Sequence, residues 1–306
     1  MTVSEYWPVV KDAGAQWVAD KAARLGAALA YYSIFSIAPL LIIAIAVAGL
    51  VFGAEAARGE VSRQVGHLVG EKGGEAIESM VEAANKPGAG TVATVIGVVM
   101  LLVGAAGLFG QLQDALNTIW EVQPKPGRGV WGFVRDRFLS LSMVMGVAFL
   151  LLVSLVVSAS LAAVGGLLGD LQTGVIGQVV TTAIDLVVIT LMFALIYRFL
   201  PDAVIAWRDV WFGAGVTAVL FVVGKVLIGL YLGHAGVSSA FGAAGSLAVL
   251  LVWLYYAAQI FLFGAELTKA YADRMGSRIE PKPHAERVPD AVRAQEGRPQ
   301  PVGASA

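Results

Sequence analysis

Apolar residues in this chain accumulate in long runs and do not alternate with polar ones. From Leu25 to Ala54 no ionisable side chain occurs except tyrosine, and the same holds from Phe138 to Gly169. About 20 helical residues, rising roughly 1.5 Å each, cross some 30 Å of hydrocarbon, so each run is long enough to span a bilayer. The pattern predicts six such helices, at about 27–52, 91–112, 138–164, 175–198, 210–233 and 244–267. The expected fold is all-α and polytopic, because hydrocarbon tolerates a backbone only when its polar groups are satisfied within the segment.

Positive charge then orients the helices. Lys11, Lys21 and Arg24 precede the first run, Lys125, Arg128, Arg135 and Arg137 follow the second, and Arg198 and Arg208 lie between the fourth and fifth. Lys269, Arg274, Arg278, Lys282, Arg287, Arg293 and Arg298 follow the last run, while the connections at about 165–174 and 234–243 hold no Lys or Arg. The positive-inside rule therefore predicts both termini in the cytoplasm. This divides the chain into a cytoplasmic segment (1–26), a six-helix membrane domain (27–273) and a cytoplasmic tail (274–306). The tail carries Pro281, Pro283, Pro289, Pro299 and Pro301 among charges. Too little apolar surface is present there to offset ordering, so disorder is expected.

The connection at 53–90 departs from the others by mixing Arg58, Arg63, Lys72 and Lys86 with six glutamates. Val61, Val65, Leu68 and Val69 recur at helical spacing, as do Ile77, Met80, Val81 and Ala84, with Gly73-Gly74 between the two sets. A short amphipathic helical hairpin on the outer face is predicted, serving as a lid over helix ends or as a gate or docking element.

Composition narrows the function classes. Hydrophobic residues make up 58% and charged residues 14%, against about 25% charged in soluble domains. A net charge of −1 gives no general attraction for nucleic acid, so none is expected as a partner. With no cysteine, disulfides and thiolate chemistry are excluded. His67, His234 and His284 are scattered, and no Gly-x-x-x-x-Gly-Lys-Ser/Thr loop occurs. No metal, cofactor or enzymatic activity is expected. The first run is too long for a cleaved leader and reads as a retained span.

Polar groups inside the runs are the candidates for function, since an ionisable residue at mid-bilayer costs roughly 2.5–3.5 kcal/mol on insertion scales. Asp185 and Lys225 lie 13 and 17 residues inward from Arg198 and Arg208, about 20 and 25 Å deep at about 1.5 Å per residue. They are candidates for an intramembrane charge pair, which would fix helix register or serve an ion or substrate. Nearer the inner surface, Tyr32, Ser36 and Pro39 share one stripe of the first run, and Pro39 deprives the Phe35 carbonyl of its helical donor. Gly107, Gln111 and Asp114 form a second stripe, and Tyr255, Gln259 and Glu266 a third. If they converge, Tyr32, Ser36, Pro39, Gln111, Asp114, Gln259 and Glu266 line a cavity open to the cytoplasm. Gly49-x-x-x-Gly53 and Gly229-x-x-x-Gly233 are read as close helix packing.

Four stretches carry a family resemblance: AALAYYSIFSIAPLL (27–41), FGQLQDALNTIWEV (109–122), YRFLPDAVIAWRDVWFGA (197–214) and FGAAGSLAVLLVWLYYAAQIFLFGAELTKAYA (241–272). In order and spacing they resemble the YihY/BrkB family of bacterial inner-membrane proteins, over about 22–273. The resemblance implies a six-helix protein of the bacterial inner membrane, with the family's polar positions at Tyr32, Ser36, Pro39, Gln111, Asp114, Asn117, Pro201, Gln259 and Glu266. Members have carried the labels ribonuclease BN and serum-resistance virulence factor; the first fits poorly with a chain lacking a metal cluster and a basic face. A transporter or permease-like protein of unknown small substrate is expected. The alternative is a non-transporting envelope-integrity scaffold acting through lipid or protein partners. Membrane lipids are the expected partners, and a homo-oligomer is compatible with the sequence.

Overall fold

A computed structural model describes residues 3–53, 107–126, 175–234 and 245–295, together with isolated positions between 55 and 81. The expected span at 138–164, most of that at 91–112 and most of the 53–90 connection lie outside the described residues. The described chain is mostly helical. Its elements are α1 (Val3–Ala19), α2 (Ala22–Phe52), β1 (Val122–Pro124), α3 (Val175–Phe199), β2 (Ala203–Val204), α4 (Trp207–His234), α5 (Gly245–Met275), β3 (Glu280–Pro281), β4 (Ala285–Arg287) and α6 (Asp290–Gln295). A further helical stretch occupies 107–119. Within α4 and α5, Trp207–Ile228 and Leu247–Met275 are long and apolar enough to cross a membrane, and Ala22–Ala38 and Leu186–Phe199 are shorter apolar segments.

Helix ends follow local chemistry. Lys21 takes a left-handed conformation (φ 54°) between α1 and α2, so the chain turns a corner there and does not run on as one rod. At the far end of α2, Gly53 (φ 86°) donates its N–H to the Gly49 carbonyl at 3.0 Å, a glycine stop of the kind that costs other residues a Cβ clash. Glu121 (φ 57°) ends the 107–119 helix the same way, without the glycine. The span boundaries shift accordingly. α2 begins at Ala22, inside the segment expected to precede the membrane domain, and α1 makes much of that segment helical. α5 continues past 267 to Met275, because Ala270, Tyr271 and Ala272 still bury themselves against the neighbouring helices.

α5 is the central strut, packing against α1, α2 and α4, while α4 also packs against α3. Small residues set its distance from α4. A Cβ on Gly213 would fall 1.7 Å from Thr268 Oγ1, and one on Gly264 would fall 1.9 Å from Thr217 Oγ1, so each threonine fills the space a side chain would need. Both hydroxyls donate back to their own helices, Thr217 to the Gly213 carbonyl at 2.6 Å and Thr268 to that of Gly264 at 2.7 Å. Tyr197 reaches across from α3 and donates its hydroxyl to the Phe261 carbonyl at 2.7 Å. Around it Phe193, Leu116, Ile119, Trp120 and Leu262 form the principal apolar core. Ile77, one of the described positions of the 53–90 connection, is buried with Ile34, Leu250 and Trp253.

The tail corrects an expectation. Residues 277–295, assigned to a disordered tail at 274–306, are folded onto one end of the bundle. β4 pairs antiparallel with β1 in the register Val122↔Arg287, Gln123↔Glu286 and Pro124↔Ala285. β3 pairs with β2 through Ala203↔Pro281 and Val204↔Glu280. The compositional argument asks whether a segment can bury enough of itself. Here the bundle supplies the missing surface, taking up Ile279, Ala285 and Arg293, and supplies the backbone partners that proline-rich sequence cannot make alone. Residues 296–306 lie outside the described set.

Candidate functional site

Two groups of polar side chains stand out, one spread along the bundle and one gathered at its end. In the first, α5 carries Gln259 and Glu266 within a long, largely apolar helix. Glu266 is fully buried, at 0% exposure. Gln259 lies against Gly26 of α2, where a Cβ would fall 1.9 Å from its Nε2. Both its amide atoms are buried, with no hydrogen-bond partner among the described residues. Such an amide costs on the order of 1–3 kcal/mol. It also borders a groove of ≈ 460 Å³ between α1, α4 and α5.

The other expected positions are dispersed. Tyr32 is 42% exposed and Ser36 buried on α2; α2 passes through Pro39 without interruption, and the Pro39 side chain lies outside the described set. Gln111 is half-buried and Asp114 exposed on the 107–119 helix. The first two stripes do meet, since a Cβ on Gly107 would lie 3.7 Å from Tyr32 Cδ1. The groove beside Gln259 is not lined by Tyr32, Ser36, Gln111, Asp114 or Glu266, so these candidates do not share that cavity. Lys225 is half-buried on α4, and the side chain of Asp185 on α3 is outside the described residues.

The second group was not singled out from sequence, except that the family resemblance pointed to Asn117. Asn117 clamps the turn after α3. Its Nδ2 donates to Asp202 Oδ2 at 2.9 Å, and its Oδ1 accepts the Asp202 N–H at 2.8 Å. His284 Nε2 meets the other Asp202 oxygen at 2.8 Å, and the Asp202 carbonyl accepts the Lys282 N–H at 2.8 Å. One buried aspartate thus joins three segments of chain.

Glu121 does the same nearby. It accepts from Lys269 Nζ at 2.6 Å and pairs with Arg293 Nη1, while its carbonyl accepts the Val288 N–H at 3.0 Å. Burial alone would raise the Glu121 carboxyl, but the two cations outweigh it and hold the group below the usual carboxylate range. Asp209 receives the Ser277 N–H at 2.9 Å, and Arg274 pairs with Asp12. A signal did exist for Asp202 and Glu121. Each is a lone carboxylate flanked by residues that bury, Leu200 and Ala203 in one case and Trp120 and Val122 in the other. Chemically this group is a set of structural ties. Among the described residues, no cluster of three His, Cys, Asp or Glu side chains could hold a metal ion.

The profile of the family described as Virulence factor BrkB matches residues 13–289, which takes in α2 to α5 and the tail through β4. The chain belongs to that family. Among the relatives of this BrkB-family protein, a UPF0761 membrane protein from Verminephrobacter eiseniae is 34% identical over 173 residues, covering 56% of this chain and 40% of the relative. One from Pseudomonas paraeruginosa is 28% identical over 255 residues, covering 82% and 60%. One from Rhodospirillum centenum is 25% identical over 279 residues, covering 89% and 59%. The chain therefore spans 40–60% of the length of these relatives. No solved structure matches it. The expected family is confirmed, and with it a bacterial kinship and a membrane protein.

Proposed function

We propose that this BrkB-family chain is a permease-like protein of the bacterial inner membrane that crosses it six times, keeps both termini in the cytoplasm and moves a small substrate without covalent chemistry. The observation that carries the reading is Glu266, wholly buried in α5, a helix apolar enough to cross a membrane. Ionisable groups are rare in such helices because they are costly, and where they occur they mark ion or substrate routes. Gln259, two turns earlier on α5, adds an amide whose donor and acceptor are unused within the described protein.

Proteoliposomes containing the purified full chain provide the test, with glycerol, chloride and protons as probes. Flux of at least one probe above empty vesicles is expected, and Glu266→Gln should abolish it while leaving the protein folded. A folded protein that passes none of the three, or a Glu266→Gln variant with undiminished flux, would overturn the reading.

One observation favours a second reading, a non-transporting scaffold. The end of the bundle is tied by the Glu121 and Asp202 contacts into a compact cap, a rigid surface suited to a protein partner and consistent with the family's description as a virulence factor. That reading predicts that an envelope phenotype survives Glu266→Gln and fails when the cap is disrupted.

A further inference from the structure

The groove beside Gln259 opens along the bundle, with Gly14 and Trp17 of α1, Val223 and Leu227 of α4, and Ile260 and Phe263 of α5 on its walls. Its ≈ 460 Å³ falls within the roughly 300–1,000 Å³ of ligand clefts. Except for Gln259 and the Tyr256 hydroxyl, the lining side chains are hydrocarbon or indole. The face of α4 that borders it is apolar, with Val219, Val223, Val226, Leu227 and Leu230 each about half exposed. In a membrane protein an exposed apolar face of this kind suits lipid chains.

Polar chemistry is confined to one part of the rim. Gln259 lines the groove, with its amide atoms buried against Gly26 and without a hydrogen-bond partner among the described residues. Four residues beyond Trp17 stands Lys21, exposed and left-handed in its backbone, with exposed Arg24 following. A ligand that matches this surface is apolar along most of its length and negatively charged near one end. We propose that the groove seats one acyl chain of an anionic phospholipid, with the phosphate held by the cations of the α1–α2 corner. This rests on the chain being a membrane protein and is independent of whether it transports anything.

Gly14 supplies a clean test. A Cβ built there meets nothing within 4 Å, so Gly14→Phe starts its side chain in open space beside the groove that Gly14 lines and replaces a poor helix former. The purified full chain is equilibrated in nanodiscs of phosphatidylcholine containing a minor fraction of phosphatidylglycerol, then released and its retained lipid counted by native mass spectrometry. The expected result is one retained phosphatidylglycerol per chain, enriched about tenfold over its share of the bilayer, as a charge-assisted contact allows. Gly14→Phe should lose the retained lipid with an unchanged or higher Tm. Lys21→Asn with Arg24→Gln should keep a lipid but lose the enrichment; asparagine tolerates the left-handed backbone at position 21.

Three results would overturn the proposal. These are retention of phosphatidylglycerol by Gly14→Phe at the wild-type level, equal retention of the two lipids by the wild type, or a second copy of the chain occupying the groove in cross-linking. None of these readouts involves flux, so failure here is distinct from failure of the permease reading.

Discussion

The cap and the groove use the same kinds of polar side chain under opposite conditions. In the cap, Asp202 is bonded by Asn117 and His284, and Glu121 by Lys269 and Arg293. At the groove, Gln259 is also inside the protein, yet neither end of its amide has a described partner. A polar group that folding must bury needs its partner from the same chain, whereas one that serves a ligand keeps its bonding capacity open. The contrast separates the residues that hold this molecule together from those available to act on something else. It also places the two sets in different parts of the fold.

The largest effect should come from breaking the Glu121 centre. Lys269→Ala leaves Glu121 with Arg293 alone, in a site where Lys269 and Glu121 are each more than nine-tenths buried. Removing one partner of a buried pair costs about 3–5 kcal/mol when the other charge is left uncompensated, and the remaining Arg293 contact puts the cost at the lower end of that range. Thermal unfolding in detergent should show a Tm well below that of the wild type, and limited proteolysis should cut first in 277–295. If Lys269→Ala melts with the wild type and the tail stays protected, the cap is not held in this way.

Acid should act on the same centre. The folded-state Glu121 carboxyl titrates below its ordinary value, the two cations outweighing burial. A depressed carboxylate stabilises the fold at every pH above its unfolded value of about 4.3. That stability drains away as pH falls below this value and through the folded pKa. The Tm should therefore decline on acidification from pH 5 to pH 3. Glu121→Gln should start lower at neutral pH and show a shallower decline. Parallel curves for the two proteins would mean that other carboxylates govern the acid response.

What could be read in advance divides along the same line. The long apolar runs announced α2, α3, α4 and α5 because uninterrupted hydrophobicity over more than 20 residues has few other uses. The cap was illegible because its stability is non-local: 163 residues separate Gln123 from the Glu286 it bonds, and 148 separate Lys269 from Glu121. Periodicity carries no information over such distances. Composition then misleads, since a segment rich in proline and charge looks unable to fold until its partner surface is known. For the candidate site, periodicity correctly put Gln259 and Glu266 on α5 but not what each faces. It placed Tyr32, Gln111 and Asp114 on helices without fixing the rotation that leaves Tyr32 and Asp114 exposed.

The smallest effect is the most discriminating. Gln259→Met keeps the length of the side chain, removes both unsatisfied amide atoms and preserves the contact with Gly26. In the cap, deleting a polar group strands its partner. At Gln259 there is no described partner to strand, so substitution by an apolar group of similar shape should be neutral or stabilising, within about 1 kcal/mol. Denaturant or thermal unfolding of Gln259→Met beside Asn117→Leu gives the comparison directly. Asn117→Leu removes two hydrogen bonds from buried Asp202 and should cost about 2 kcal/mol or more. A Gln259→Met variant destabilised as strongly as Asn117→Leu would show that the amide is bonded within the fold, and the distinction between a structural cap and an available groove would collapse.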